Sequence, residues 1–154
     1  MKIPNLTPEQ FWQLHAPPAA KTEKYTAWAF GHTPEMADQL LACVISGKKR
    51  GTSSYHRLYE LEQEPLPEVG EYSVLLDGRN EPRALIQTIH VEVLPYNRIT
   101  ELHGFLEGEG DQTLAYWRSV HFPFFQAEAK AAQLTFTETD LVVYEYFELI
   151  YYEK

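Results

Sequence analysis

The 154-residue sequence predicts an α+β domain built on a small mixed or antiparallel sheet, either open or closed into a barrel. Three observations carry that prediction. Thr7-Pro8-Glu9-Gln10 and Thr33-Pro34-Glu35 each set a hydroxyl cap before a proline at the first helical position, so two helices start near the N-terminus. Segments 50–56, 70–77, 83–93 and 140–152 are rich in Val, Ile, Leu, Thr and Tyr, the signature of strands. These strands are not separated by regular helices, which argues against a parallel α/β sheet.

Taken in order, the first helix carries Phe11 and Trp12 and stops before Pro17-Pro18. Residues 21–32, with Tyr25, Trp28 and Phe30, form an aromatic connection of unassigned structure. The second helix repeats Met36, Ala37, Leu40, Leu41, Val44 and Ile45 along one apolar face and ends at Gly47, a residue that enters the left-handed region freely. Cys43 belongs near that face as a small apolar group. Asp77-Gly78 marks a turn between the second and third strands. Helical patterns follow at about 99–106 and about 112–132, the latter interrupted at Pro123, with Asp111 as its N-cap. In the last strand, LVVYEYFELIYY, Glu145 and Glu148 among apolar neighbours indicate a strand that changes environment along its length. The expected organisation is a helical extension over 1–24 packed on a domain over 25–154.

Composition excludes several classes. Hydrophobic residues at 44% and aromatics at 14% place the chain far from disordered sequences. One cysteine rules out an internal disulfide, the N-terminus shows no signal-peptide pattern, and no apolar run is long enough to cross a membrane. Cytoplasmic residence is the resulting expectation. The net charge of -9 argues against coating nucleic acid by bulk positive charge. Yet residues 46–57 hold Lys48, Lys49, Arg50 and Arg57 with no acid. An anion would be attracted locally, or the stretch is a solvated basic edge that complements a helix C-terminus.

Three constellations could carry chemistry. In SGKKRGTSS, Lys49 and Thr52 are a potential base and nucleophile, with Lys48 and Arg50 as cations beside them. A regular strand would point residues three apart to opposite faces, so the pair meets only if the backbone bulges, which Gly51 permits. Glu107-Gly108-Glu109-Gly110-Asp111 alternates carboxylates with glycines. It fails the calcium-loop pattern, since Gln112 and Arg118 stand where glycine and glutamate are required, but a two-carboxylate Mg²⁺ or Mn²⁺ site fits it. Third, Trp117 and His121 share a helical face, with Trp117 expected in the core, His121 at its edge, and Arg118 free to pair with a carboxylate or hold a phosphate.

The series Trp28-Ala29-Phe30-Gly31, Ala37-Asp38-Gln39-Leu40, Gly47-Lys48-Lys49-Arg50-Gly51-Thr52-Ser53-Ser54, EGEGD, Trp117-Arg118 and His121-Phe122-Pro123-Phe124-Phe125 resembles the longer bacterial branch of the ASCH domain family, from about residue 25 to the C-terminus. The resemblance implies a PUA-like β-barrel with flanking helices and a cleft for RNA or a nucleotide. Some small relatives hydrolyse the acetyl amide of acetylcytidine with a Lys, a Thr three residues later and a downstream Glu, which map onto Lys49, Thr52 and, through a loop of different length, Glu109 or Glu107. At least one longer relative is a metal-dependent ribonuclease that uses the corresponding Lys. His32 stands where the family has an Asp, so no role for that acid transfers.

The expectation is therefore hydrolysis of RNA or a modified nucleoside by Lys49, Thr52 and Glu109 or Glu107. In the competing class, a binding module without chemistry, Lys48, Lys49, Arg50 and Arg57, with Arg118 and Ser54, hold phosphate while Tyr55 or another aromatic stacks a base. Recognition of a small anion or nucleotide is a third class. No protein partner is indicated.

Overall fold

The computed structural model describes residues 6–153; of the expected N-terminal extension, residues 1–5 lie outside the described residues, as does Lys154. Five helices, α1 (Pro8–His15), α2 (Pro34–Ile45), α3 (His56–Leu61), α4 (Glu101–Glu107) and α5 (Leu114–Ala131), pack around one five-stranded sheet. Its strands are β1 (Tyr25–Trp28), β2 (Gly51–Tyr55), β3 (Tyr72–Leu76), β4 (Pro82–Pro95) and β5 (Leu141–Tyr152), in the order β1-β3-β4-β5-β2. β1 runs parallel to β3 and every other pairing is antiparallel, so the sheet is mixed.

The caps at the first two helices act as their residue types dictate. Thr7 accepts from the Gln10 amide while the Gln10 side chain returns to the Thr7 amide, and Thr33 accepts from the Met36 amide. Along β4, Ala84 and Ile86 face a cluster with Leu41 and Val44 of α2, whereas Leu85 faces Phe11 and Trp12 of α1. The centre of the sheet is thereby buried on both faces. A third cluster joins Trp117, Phe125 and Ala129 of α5 to Val142 and Tyr144 of β5.

The expected barrel is not closed. β1 has four residues and pairs only with β3, β2 has five and pairs only with β5, and a cleft of about 650 Å³ lies between these edges. Pro65 and Pro67, which lack ladder donors, line that gap. Pro123 does not interrupt α5. It is exposed, and Trp117 before it and Phe125 and Ala129 after it sit in one cluster that holds both halves in line. Asp111 is not the helix cap: Thr113 is, and Asp111 accepts from the Thr113 amide and hydroxyl one step earlier. Residues 21–32, unassigned from sequence, supply β1, and α3 is a helix without a side-chain cap or a buried residue to announce it.

Candidate active site

α2 ends at Ile45 with Ser46 as its C-cap, and Gly47 follows with φ +86, turning the chain so that Lys49 lies on the linker between α2 and β2. The Lys49 amide donates back to the Cys43 carbonyl, and the Arg50 amide donates to the Leu106 carbonyl at 2.6 Å. These bonds seat the linker against α4. Lys49 is only 1% exposed, and its ammonium donates to the Glu107 carboxylate at 3.0 Å, the Glu107 carbonyl at 3.2 Å and the Glu109 carboxylate at 3.1 Å. All three of its donors are thus satisfied. The Phe30 ring centroid lies 5.3 Å from the same nitrogen.

Glu107 is the hub. Its Oε2 accepts from Ser53 at 2.6 Å and from the Trp117 indole at 3.1 Å, while Oε1 accepts from Lys49 and lies 3.6 Å from His121 Nε2. The His121 ring stacks on Trp117, and its Nδ1–H donates to the Trp117 carbonyl at 2.9 Å, which leaves Nε2 directed at the carboxylate. Burial would push the Glu107 carboxyl up, but the Lys49 charge, helped by His121, Ser53 and Trp117, holds it well below the usual range. Burial would likewise lower the Lys49 ammonium, yet Glu107 and Glu109 outweigh it and raise the pKa. Lys49 is therefore held protonated, which favours the stabilising role over the role of base.

The glycines of EGEGD are explained by approach. Gly108 closes α4 with φ +74, and a Cβ there would lie 2.5 Å from the Lys48 carbonyl. Only glycine lets the acidic loop lie against the basic one. Gly51, by contrast, does not bulge: β2 pairs in continuous register with β5 from Gly51↔Tyr146 to Tyr55↔Val142. Its missing side chain makes room for Tyr144, whose hydroxyl donates to the His103 carbonyl and ties α4 to the sheet. Lys49 and Thr52 line one small cavity without that bulge, because Lys49 precedes the strand and is not bound by its alternation.

Lys49, Thr52, Glu107 and Glu109 line one cavity of about 90 Å³, with Ser53 and His121. Thr52 and Ser53 also line the larger cleft between the sheet edges, so the two spaces meet at β2. Ser54 faces that cleft and pairs with the Tyr59 hydroxyl at 2.8 Å. Tyr55 cannot stack a base: it is 1% exposed among Phe125 and Phe136, and its hydroxyl donates to Asp140. Lys48, Arg50, Arg57 and Arg118 are exposed and line neither space; Arg50 donates to the Gly47 carbonyl as a helix-end cation does. The structure adds Ser53, His121 and the Trp117 indole to the site. The i,i+4 pair of Trp117 and His121 was the available signal, but it also describes ordinary packing.

Glu107, Glu109 and His121 place one ligand atom each within 4.8 Å of one another, a carboxylate and imidazole set suited to Mn²⁺ or Zn²⁺ more than to Mg²⁺. The Lys49 ammonium already bridges both carboxylates. A divalent ion and this ammonium do not fit together, and the fit is to the ammonium.

A sequence model of the ASCH domain family matches residues 26–151. The chain belongs to the ASCH domain family. Its fold is similar to the crystal structure of an ASCH domain from Lactobacillus crispatus JV V101, with a TM-score of 0.85, 27% identity, and coverage of 94% of this chain and 91% of that one. It is also similar to a crystal structure of a protein from Enterococcus faecalis V583, with a TM-score of 0.76, 38% identity, and coverage of 81% and 76%. No curated protein matches the chain. No helix of this ASCH protein, among the described residues, is long and apolar enough to cross a membrane.

Proposed function

We propose that this ASCH protein is an amidohydrolase acting on an acylated nucleoside in the cleft that runs from Glu109 to Thr52. The observation that carries this reading is the buried Lys49 ammonium clamped by Glu107 and Glu109 at the end of a cleft with no other lysine and no arginine in its lining. Phosphodiester cleavage spreads negative charge over several oxygens and calls for several cations or a metal. An amide needs one oxyanion stabilised, and one ammonium suffices.

The roles follow from which bonds are already occupied. Glu107 is saturated and buried, so it orients Lys49 and takes no proton. Glu109 is more exposed and contacts Lys49 through one oxygen, leaving the other to accept. Thr52 Oγ attacks the acyl carbon and its proton passes to Glu109. Protonation of Glu109 weakens its hold on Lys49 and frees an N–H for the developing oxyanion. Collapse expels the base amine, which takes the proton from Glu109. Water then enters by the same relay, releases the carboxylic acid and restores Thr52.

The test is incubation of the pure protein with acetylcytidine, other acylated nucleosides and a panel of RNAs, with and without Mn²⁺, and mass analysis of products. Deacetylation without metal is the expected result, and Thr52→Ala should reduce it by about 100-fold or more with unchanged stability. RNA cleavage alone would replace this reading with the ribonuclease one. Binding without any product would leave the module without chemistry.

A further inference from the structure

The cleft between the sheet edges differs in character from the Lys49 cavity that it joins. Its lining holds three carboxylates, Glu64, Glu71 and Glu145, several hydroxyls and no basic side chain. Glu145 is set into the sheet, opposite Thr52 on β2 and Val91 on β4. Its Oε1 accepts one long bond from Thr88 at 3.4 Å, and Oε2 has no partner among the described residues. Burial pushes this carboxyl up to about 7, with Thr88 lowering it and Glu71 raising it further. Tyr59 of α3 also senses its charge. Trp28 and Phe30, in edge contact at 4.6 Å, give the cleft an aromatic wall.

A phosphate entering here would meet carboxylates of its own sign without a cation to offset them. A flat ring with N–H donors on one edge suits every element of the lining: the aromatic wall takes its face, the hydroxyls accept or donate, and Glu145 accepts from the donors. We propose that this cleft selects nucleobases that carry an exocyclic nitrogen, with Glu145 accepting from its N–H whether that nitrogen is free or acylated, and that it is the specificity pocket of the site next to it. This rests on the nucleoside reading above. An unpaired carboxylate acceptor rejects the analogue that lacks the donor, because desolvation of the carboxylate is then uncompensated.

Isothermal titration calorimetry of the full chain with two pairs, cytidine against uridine and guanosine against inosine, isolates one amino group each time. At pH 8, above the raised Glu145 value, the amino-bearing member of at least one pair should bind about 10-fold tighter or more. In Glu145→Gln, where one acceptor oxygen is exchanged for a donor, that ratio should fall below about 3-fold. A purely structural role for Glu145 would weaken both members equally and leave the ratio intact, which overturns the inference. Binding by all four nucleosides without preference in the wild type overturns it while sparing the nucleoside reading. No binding by any of the four overturns the inference as well, and the nucleoside reading is then decided separately by turnover of acetylcytidine.

Discussion

Two carboxylates of this molecule, one on a helix and one on a strand, are treated in opposite ways. Glu107, at the end of α4, is fully enclosed and receives Lys49, Ser53 and Trp117. Glu145, in the middle of β5, is half-buried with one long hydrogen bond and acidic neighbours. Their pKa values move apart accordingly, Glu107 down and Glu145 up to about 7. A carboxylate that is saturated internally organises a site, and one that is left unsaturated is available to a ligand. Both line spaces that meet at Thr52 and Ser53, so the contrast divides one site into a fixed end and a receptive end.

The largest way to break that contrast is Lys49→Ala, which strands Glu107 without its ion-pair partner in a buried place. Loss of one member of a buried pair typically destabilises by about 3–5 kcal/mol, and urea unfolding at pH 7 should read a value in that range. The pH dependence carries the sign. The Glu107 pKa is lowered in the folded state, so its contribution is present above the ordinary carboxylate range and lost as pH falls toward the folded value. The penalty in Lys49→Ala should therefore shrink in acid, where Glu107 protonates in variant and wild type alike. The same substitution also empties the space between Glu107, Glu109 and His121. Micromolar Zn²⁺ should raise the melting temperature of Lys49→Ala and leave the wild type unmoved; equal shifts in both would show that the ammonium does not guard the ligand set.

Gly108→Ala acts on the same end through the backbone. It requires φ +74 of a non-glycine residue and places a Cβ 2.5 Å from the Lys48 carbonyl, so the acidic loop must retreat from the basic one. About 1–3 kcal/mol of destabilisation is expected, with loss of turnover beyond what the stability change explains. Full activity would mean that the site tolerates a looser clamp than the geometry implies.

How much of this was legible in the sequence depends on range. Thr7-Pro8 and Thr33-Pro34 announce helices through contacts three residues long, and those helices are where the residues place them. Long-range facts were not announced. Asp111 and Thr113 are both good caps, and only the turn geometry of the loop selects Thr113. Pro123 is an ordinary helix breaker by propensity, overridden because Trp117 and Phe125 are pinned in one cluster. Lys49, Thr52 and Glu109 could be singled out as residue types, but Gly51 suggested a bulge where the structure uses it to admit Tyr144. Tyr55 looked like a stacking residue because a strand alternation does not say which face is core. Ser53 escaped because its partner, Glu107, is 54 residues away along the chain and nothing local marks such a pair, while His121, singled out beside Trp117, was expected only at the edge of the core because Glu107 is 14 residues away.

The smallest expected effect lies at the receptive end. For a carboxyl whose pKa is raised in the folded state, the folded protein holds a proton that the unfolded chain has already released between the ordinary carboxylate range and about 7. Stability then falls as pH rises through that window, the reverse of the Glu107 contribution. Glu128, pushed up to about 7 by burial and by Glu62, adds a slope of the same sign and must be held constant. Glu145→Gln leaves Glu128 in place and removes only the Glu145 part. The variant should match the wild type near pH 4.5 and become more stable than it at pH 8, by about 1 kcal/mol or less because the carboxylate, open to the cleft, is partly screened by solvent. A stability difference that does not change between those two pH values would mean that Glu145 titrates as an ordinary surface acid, and the contrast with Glu107 would then rest on hydrogen bonding alone.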